Sequence, residues 1–148
     1  MAANDHESIR RICAQYCHYL DGTDGDQPVE SLLDLFTDDG VLYSVRQSRL
    51  YEGREELRGF FAGVHSGSQG RSKHLTSNLV ITVDGDAATV VSDWTYVRED
   101  ASDGNSVLRL SSYGRFHDSF VRRASGWRFS SRVISRGNDS PAQVPGAE

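Results

Sequence analysis

The chain has 148 residues, which suits one domain with a sizeable core, and its hydrophobic content of 37% and charged content of 25% are typical of a globular protein. The net charge of -5 argues against nucleic acid as a partner, because phosphate binding needs a basic surface. No apolar run approaches the length of a membrane span, and the N-terminal residues do not read as a secretory signal, so we expect no membrane association.

The first predicted element is a helix that runs from about Asp5 to Tyr19 or Leu20. Apolar residues recur along it at helical spacing, at Ile9, Ile12, Cys13, Tyr16 and Leu20. Turn residues at 21–26 end the helix. Cys13 and Cys17 lie four residues apart within it, a spacing that is awkward for a disulfide, so we expect reduced thiols and a cytoplasmic protein.

Two further helices and two short strands are predicted next. Pro28 suits the first position of a second helix, which turn residues at 37–40 close. Residues 41–46 and 49–51 have the pattern of paired strands. A third helix is expected over 54–61, followed by a flexible loop at 66–70 where a pocket rim could lie.

Long antiparallel strands are predicted for the second half of the chain. They cover residues 72–83, 87–98, 106–121 and 127–135, with a hairpin turn at Asp84-Gly85, a polar loop at 99–105 and a bend near Gly114. Helices followed by strands favour an α+β fold, in which a curved antiparallel sheet carries about three helices on its concave face. Such a cone has room for a small ligand. We expect residues 1–137 to form a single domain and 138–148 a flexible tail.

The strand at 72–83 carries a titratable imidazole near its start. Because side chains alternate in a strand, His74, Thr76 and Asn78 are predicted on one face, and Leu75, Leu79, Ile81 and Val83 on the other. We expect Asp21, at the end of the first helix, to meet His74 across a pocket and make it a base. The alternative is that Asp21 caps a helix turn and His74 is a structural histidine.

Five motifs follow one another in a fixed order. They are Tyr16-x-x-Tyr19-Leu20-Asp21-Gly22, Leu35-Phe36-Thr37-Asp38-Asp39-Gly40, Tyr51-Glu52-Gly53, His74-x-x-x-Asn78 with Asp84-Gly85-Asp86-Ala87, and Gly126-Trp127-Arg128-Phe129 with Arg132. This series, over residues 5–136, resembles the SnoaL-like branch of the nuclear-transport-factor-2-like superfamily. That branch has scytalone-dehydratase-like, bile-acid-dehydratase-like and polyketide-cyclase-like members.

The resemblance implies an α+β cone that forms a homodimer through its sheet. It also implies a catalytic dyad of a helix-end Asp and a strand His, whose positions Asp21 and His74 match. Many such proteins need no metal and no organic cofactor, and we predict none here. The expected function is a cofactor-independent lyase or isomerase that acts on a hydrophobic cyclic small molecule in polyketide- or terpenoid-type secondary metabolism. The alternative is a non-catalytic module of the same fold that binds a small molecule or mediates dimerisation.

The predicted catalytic residues are His74 as general base, Asp21 as the group that orients it, and Tyr16 as a hydrogen-bond donor to an oxygen that gains charge. Tyr16 is equally compatible with a place in the core. Predicted substrate-binding residues are Tyr43, Tyr51, Asn78, Trp94, Tyr96, Tyr113, His117 and Arg132. For the strand residues among them the alternative is cross-strand packing or a dimer face, and for Arg132 it is a solvated strand face. No His or Cys spacing indicates a metal site.

Overall fold

The structure, a computed structural model, describes residues 2–22, 27–68, 71–102, 104–138 and 144. Over those residues the chain forms three helices and six strands. In chain order they are α1 (Ala2–Asp21), α2 (Pro28–Leu33), β1 (Phe36–Ser44), β2 (Arg49–Glu52), α3 (Gly53–Ser68), β3 (Ser72–Asp84), β4 (Ala87–Ser102), β5 (Asn105–Arg123) and β6 (Gly126–Arg136). None of the helices in the described part of the chain is both long and apolar enough to span a bilayer.

The six described strands form one sheet in the order β2-β1-β6-β5-β4-β3. Neighbouring strands run antiparallel except β1 and β6, which run parallel, so the sheet is mixed. The helices contact one face of the sheet, which we call the inner face, and the opposite face is the outer face. The predicted α+β class is confirmed, with three helices and an open sheet.

The core lies between α1, α3 and the inner face. The apolar stripe predicted for the first helix, from Ile9 to Leu20, is buried there. The Tyr16 ring is the centre of an aromatic cluster, with centroid distances of 5.9 to 6.5 Å to Phe36, Phe61, Phe116 and Phe129. These contacts join α1 and α3 to β1, β5 and β6, so burial of apolar area fixes α1 over the middle of the sheet.

The turn predicted at 37–40 was wrong, because β1 begins at Phe36 and passes through these residues. Phe36 pairs with Phe129 of β6, and the Phe129 amide donates to the Leu35 carbonyl at 2.8 Å. The register between β1 and β6 shifts between Phe36 and Val41. The Asp-Asp-Gly sequence therefore marks an irregularity inside a strand, since pairing with a distant segment overrides a local turn preference.

Two stretches predicted as loops belong largely to regular elements. Helix α3 continues to Ser68, so residues 66–68 of the predicted loop at 66–70 are helical, and 69–70 lie outside the described residues. Strands β4 and β5 pair as far as Ser102 and Asn105, so most of the polar stretch at 99–105 belongs to a long hairpin. The turn residues 23–26 and, apart from Asn138 and Val144, the predicted tail 138–148 lie outside the described residues.

Strand β3 changes the face of its side chains halfway along. The β3–β4 register shifts between Ser77 and Val80, and Asn78 has a φ of 54°. Before the shift His74 and Thr76 are the half-buried residues, and after it the half-buried residues are Leu79, Ile81 and Val83. The predicted separation of these two sets was wrong, because a β-bulge inserts one residue and reverses the alternation. The bulge places the imidazole on the same inner face as Leu79, Ile81 and Val83.

Candidate active site

The end of α1 meets the start of β3 at Asp21 and His74. The His74 Nδ1 lies 2.7 Å from the Asp21 Oδ1, and both carboxylate oxygens accept the backbone N–H of His74 at 3.0 Å. Asp21 is buried, and the His74 side chain is 16% exposed. One carboxylate thus fixes both the backbone and the ring of the same residue.

A glycine allows α1 to stop at this place. Gly22 has a φ of 68°, in the left-handed region that favours glycine at a helix end, and its amide donates to the Tyr19 carbonyl at 3.1 Å. A Cβ on Gly22 would lie 2.6 Å from Cε1 of His65, so any larger residue here also displaces that imidazole of α3. This turn sets the position from which the Asp21 carboxylate reaches β3.

The pairing assigns different roles to the two nitrogens of His74. An ionised carboxylate only accepts hydrogen bonds, so Nδ1 carries the proton and the neutral ring presents Nε2 as an acceptor. Nε2 has no hydrogen-bond partner among the described residues, and His74 lines a cavity. The arrangement can accept a proton from a molecule in that cavity and return it.

The cavity has a volume of about 270 Å³ and lies between the helices and the inner face. Its apolar walls are Leu20, Phe60, Val64, Trp94, Phe116 and Ile134. The Tyr96 ring lies 4.6 Å from the His74 ring, and the Trp94 indole N–H donates to the Ser135 carbonyl at 2.9 Å. A mostly apolar wall with a few polar groups is typical of a site that binds a small molecule.

Tyr16 of α1 lines the same cavity. Its side chain belongs to the aromatic cluster and is 1% exposed. Burial raises the pKa of Tyr16 to about 12, although the nearby Arg132 guanidinium acts in the opposite direction. The phenol therefore stays protonated at neutral pH and is able to donate a hydrogen bond.

A buried ion pair packs against the Tyr16 ring. Asp118 accepts two hydrogen bonds from Arg132, at 2.7 and 2.8 Å, and both side chains are fully buried. The Arg132 guanidinium carbon lies 4.1 Å from the Tyr16 ring centroid and 3.8 Å from that of Phe116. Burial disfavours both charges, but pairing with Asp118 raises the pKa of Arg132 above its usual value, and the two-bond geometry is that of a carboxylate with a guanidinium.

The solvated strand face considered for Arg132 was wrong. The β5–β6 register shifts between Ser119 and Phe120, which leaves Ser130 as an extra residue in β6 and turns Arg132 to the inner face. Sequence reasoning missed its pairing with Asp118. The signal was Asp118 in the apolar alternation of Phe116 and Phe120, where a carboxylate needs a buried partner.

Four predicted site residues come together at the cavity, namely Tyr16, His74, Trp94 and Tyr96. Tyr51 is buried, and its hydroxyl donates to the Gln47 Oε1 at 2.7 Å. It lines a neighbouring pocket, which shares Gln47, Phe60 and Val64 with the cavity, and it is absent from the cavity wall itself. Arg132 is not part of the cavity wall either, because it lies behind Tyr16.

The remaining predicted binding residues lie away from the cavity, which corrects their assignment. Asn78 is exposed at the bulge and donates to the Asp93 Oδ2 at 2.8 Å. Tyr113 is 50% exposed on the outer face. His117 lies on that face too, and burial, followed by the charge of Arg115, lowers its pKa. Tyr43 alternates with Ser44, which lines the cavity, so Tyr43 has the opposite orientation.

Sequence reasoning did not identify several residues that line the cavity: Ser44, Arg46, Gln47, Phe60, Val64 and Ser112. Several lie at strand ends or in the β1–β2 turn, and only the parallel pairing of β1 with β6 brings them together. Within the described residues, no group of three or more His, Cys, Asp or Glu side chains is arranged to hold a metal ion.

A family model described as a SnoaL-like domain matches residues 1–133. Among curated proteins, none matches the sequence.

Solved structures share the fold. An NTF2-like protein with a cystatin-like fold from Novosphingobium aromaticivorans has a TM-score of 0.79 and 23% identity, with 94% of this chain and 86% of that chain covered. A Mycobacterium tuberculosis protein of unknown function has a TM-score of 0.77 and 25% identity, with 92% and 73% covered. A Novosphingobium aromaticivorans protein proposed to be a scytalone dehydratase has a TM-score of 0.75 and 21% identity, with 97% and 91% covered.

Proposed function

Since the chain belongs to the SnoaL-like domain family, we propose that it is a cofactor-independent lyase or isomerase that moves a proton on a hydrophobic cyclic small molecule. The leading reaction is elimination of water, and isomerisation or ring closure uses the same proton shuttle. The setting that we propose is polyketide- or terpenoid-type secondary metabolism. A structural neighbour proposed to be a scytalone dehydratase is compatible with this reaction class.

The observation that carries the proposal is the 2.7 Å contact between Asp21 and His74 at a mostly apolar cavity. In an elimination, Nε2 of His74 takes a proton from a carbon next to a carbonyl group, and the electrons of that C–H bond form the new double bond. The C–O bond breaks as His74 returns the proton to the departing hydroxyl, which leaves as water. Asp21 stabilises the imidazolium that exists between these steps.

Tyr16 is the proposed donor to the carbonyl oxygen, which gains negative charge when the neighbouring carbon loses its proton. Its pKa of about 12 keeps the proton on the phenol at neutral pH. A donor that is already oriented in a dry site stabilises such an oxygen more than water does. Tyr96, whose ring contacts His74, is a second donor within the same wall.

The test uses a panel of cyclic β-hydroxy ketones, whose loss of water gives an enone that absorbs in the ultraviolet. We expect His74→Ala to lower kcat/KM by about 10²- to 10⁴-fold, the range of general acid–base catalysis. Asp21→Asn lowers it as well, because the ring loses its charged partner. The matched control is His117→Ala, which removes a half-buried histidine of the outer face and leaves the rate unchanged. A His74→Ala protein with a native circular dichroism spectrum and wild-type turnover contradicts the proposal.

A non-catalytic binding module is the second candidate. It is favoured by the two hydrogen bonds from the His74 backbone to Asp21, which tie α1 to β3 without any chemistry. In that case ligands bind in the cavity and are released unchanged. Asp21→Asn then lowers the melting temperature, and neither the wild-type protein nor the variant shows turnover.

We also propose that two copies of the chain associate through the outer face. The helices leave this face bare, and it carries exposed apolar residues at Leu75, Val80, Leu108, Leu110 and Tyr113. Exposed apolar area of this kind on a regular sheet is typical of an interface. A homodimer buries the bare faces of two sheets against each other.

A further inference from the structure

Two guanidinium groups lie at the mouth of the cavity. Arg46 and Arg136 line it together with His74, and both are exposed. No carboxylate belongs to the described cavity wall, although the chain as a whole has a net charge of -5. The mouth is therefore locally positive on an acidic protein.

The parallel pairing of β1 and β6 brings these two arginines together. Ser44 is in register with Ile134, and the Val45 amide donates to the Ile134 carbonyl at 3.0 Å. Arg46 and Arg136 each follow two residues later. Arg136 is the last residue of β6, and Arg46 lies in the turn that follows β1. Because these two parallel strands are neighbours, both residues lie at the same end of the sheet, where both line the cavity.

Neither guanidinium has an ion pair or hydrogen bond with any described residue. Several other arginines in the described chain are paired with carboxylates: Arg54, Arg58, Arg98, Arg109, Arg115, Arg122 and Arg132. Two neighbouring cations without a counter-ion repel each other, and a bound anion removes that repulsion. Guanidinium groups bind carboxylates and phosphates through paired hydrogen bonds. Of these two anions, the carboxylate carries the smaller charge and so loses less hydration on entering a mostly apolar cavity.

We propose that the ligand of this cavity is a carboxylic acid with an apolar ring, whose carboxylate binds Arg46 and Arg136 while the ring reaches between Trp94 and Phe60 toward His74. This assignment rests on the proposed function in one respect: the ring end of the ligand is placed at His74 because His74 is the proposed base. The charged anchor fixes the orientation of an otherwise apolar molecule, so that the same carbon always faces Nε2 of His74. The cavity of about 270 Å³ suits a compact ring system with one such group.

The experiment compares the binding of 2-naphthoate with that of 2-naphthamide, a neutral molecule of the same shape, by titration calorimetry. We expect wild-type protein to bind 2-naphthoate at least tenfold more tightly. In Arg46→Gln/Arg136→Gln the affinity for 2-naphthoate falls to that for 2-naphthamide, which is itself unchanged. Added salt weakens only the binding of 2-naphthoate. The matched control is Arg128→Gln, since Arg128 lies at the other end of β6 and contacts Ser125 and the Trp127 carbonyl.

Three results overturn the carboxylate site: equal affinity for both probes, a preference that survives in the double variant, or binding of neither probe at millimolar concentration. None of these depends on catalysis, so the two proposals fail separately. A preference for 2-naphthoate that persists in His74→Ala, in a protein without lyase or isomerase activity, keeps the carboxylate site and removes the proton shuttle. Turnover of neutral ketones without any preference for 2-naphthoate does the reverse.

Discussion

At the scale of single residues, the site depends on how buried charges are partnered. Asp21 is paired with an imidazole that faces a cavity, so its partner has a free nitrogen for chemistry. Asp118 is paired with a guanidinium that is enclosed by aromatic rings, so its partner is unavailable to a ligand. The two carboxylates therefore serve different purposes, one at the cavity and one in the core.

The Asp118–Arg132 pair gives a prediction about stability. Arg132→Met leaves a buried carboxylate without its partner, and we expect a loss of about 3–5 kcal/mol in the free energy of unfolding. Asp118→Leu/Arg132→Met removes both charges and restores most of that loss. Urea unfolding followed by circular dichroism measures both. A double variant as unstable as the single one would mean that packing of the Arg132 stem, and not the charge, is what matters.

At the scale of elements, α1 is attached to the sheet at both ends. Asp21 binds β3 at its C-terminus, and Asp5 binds Arg122 of β5 and Trp127 of β6 near its N-terminus, at 2.7 and 3.1 Å. The guanidinium carbon of Arg122 also lies 4.5 Å from the Trp127 ring centroid. These attachments hold the helix that carries Tyr16 and Asp21 across the cavity.

The N-terminal attachment predicts a pH dependence. Hydrogen bonds from Arg122 and Trp127 lower the pKa of Asp5 from 3.8 to about 2, so folding is stabilised above the ordinary pKa of 3.8, and this contribution is lost as the pH falls toward 2. We expect Asp5→Asn to melt at a lower temperature than wild type at pH 7 and at the same temperature near pH 2. The control is Glu7→Gln, an exposed residue of the same helix turn, which leaves the melting temperature at pH 7 unchanged. A difference for Asp5→Asn that is constant with pH contradicts the assignment.

Strand β5 makes room for the cavity wall at Gly114. A Cβ there would lie 2.0 Å from the Ser135 carbonyl oxygen and 2.8 Å from the Trp94 ring. Gly114→Ala must therefore separate β5 from β6 or displace Trp94, and we expect a loss of about 1–3 kcal/mol in urea unfolding, the usual cost of overpacking.

The comparison variant for Gly114 is Gly59→Ala in α3, where no atom lies within 4 Å of the added carbon. It stabilises the protein by about 0.5–1 kcal/mol, because alanine suits a helix interior better than glycine. A Gly114→Ala protein as stable as wild type would mean that β5 and β6 can move apart at this position, or Trp94 can shift, without loss of stability.

At the scale of the whole molecule, the two faces of the sheet have different environments. The inner face is covered by helices and holds the core and the cavity, whereas the outer face is bare and carries large apolar side chains. The β4–β5 hairpin extends beyond the helices, so residues on both of its faces are exposed. Its outer-face residues Leu108 and Leu110 are 74% and 64% exposed.

The proposed dimer gives the prediction at this scale. Leu108→Lys/Leu110→Lys places two charges on the outer face, and we expect sedimentation equilibrium to change from a dimer to a monomer. Val107→Lys, on the opposite face of the same hairpin, leaves the dimer intact. A wild-type protein that sediments as a monomer at concentrations well above the one used for activity rules out association through this face.

Local patterns in the sequence predicted the elements that depend on local physics. The apolar spacing from Ile9 to Leu20 predicted α1, and Asp84-Gly85 predicted the β3–β4 hairpin. Alternation along β4 placed Trp94 and Tyr96 on one face, where the structure has them at the cavity. The pairing of Asp21 with His74 was proposed from motif order, and the structure places the two side chains in contact, while their catalytic role stays a prediction.

The sequence by itself determined which segments become helix or strand, since apolar periodicity and turn residues act over a few neighbours. Only the tertiary structure decided which face each side chain takes. A bulge between Ser77 and Val80 turned Leu79 inward with His74, and the extra residue Ser130 turned Arg132 into the core. One inserted residue reverses the alternation of everything beyond it, and its position is set by pairing with a strand that is distant in sequence. The parallel contact of β1 with β6, which brings Arg46 and Arg136 to the mouth of the cavity, arises from pairing across some 90 residues, as the register of Ser44 with Ile134 indicates.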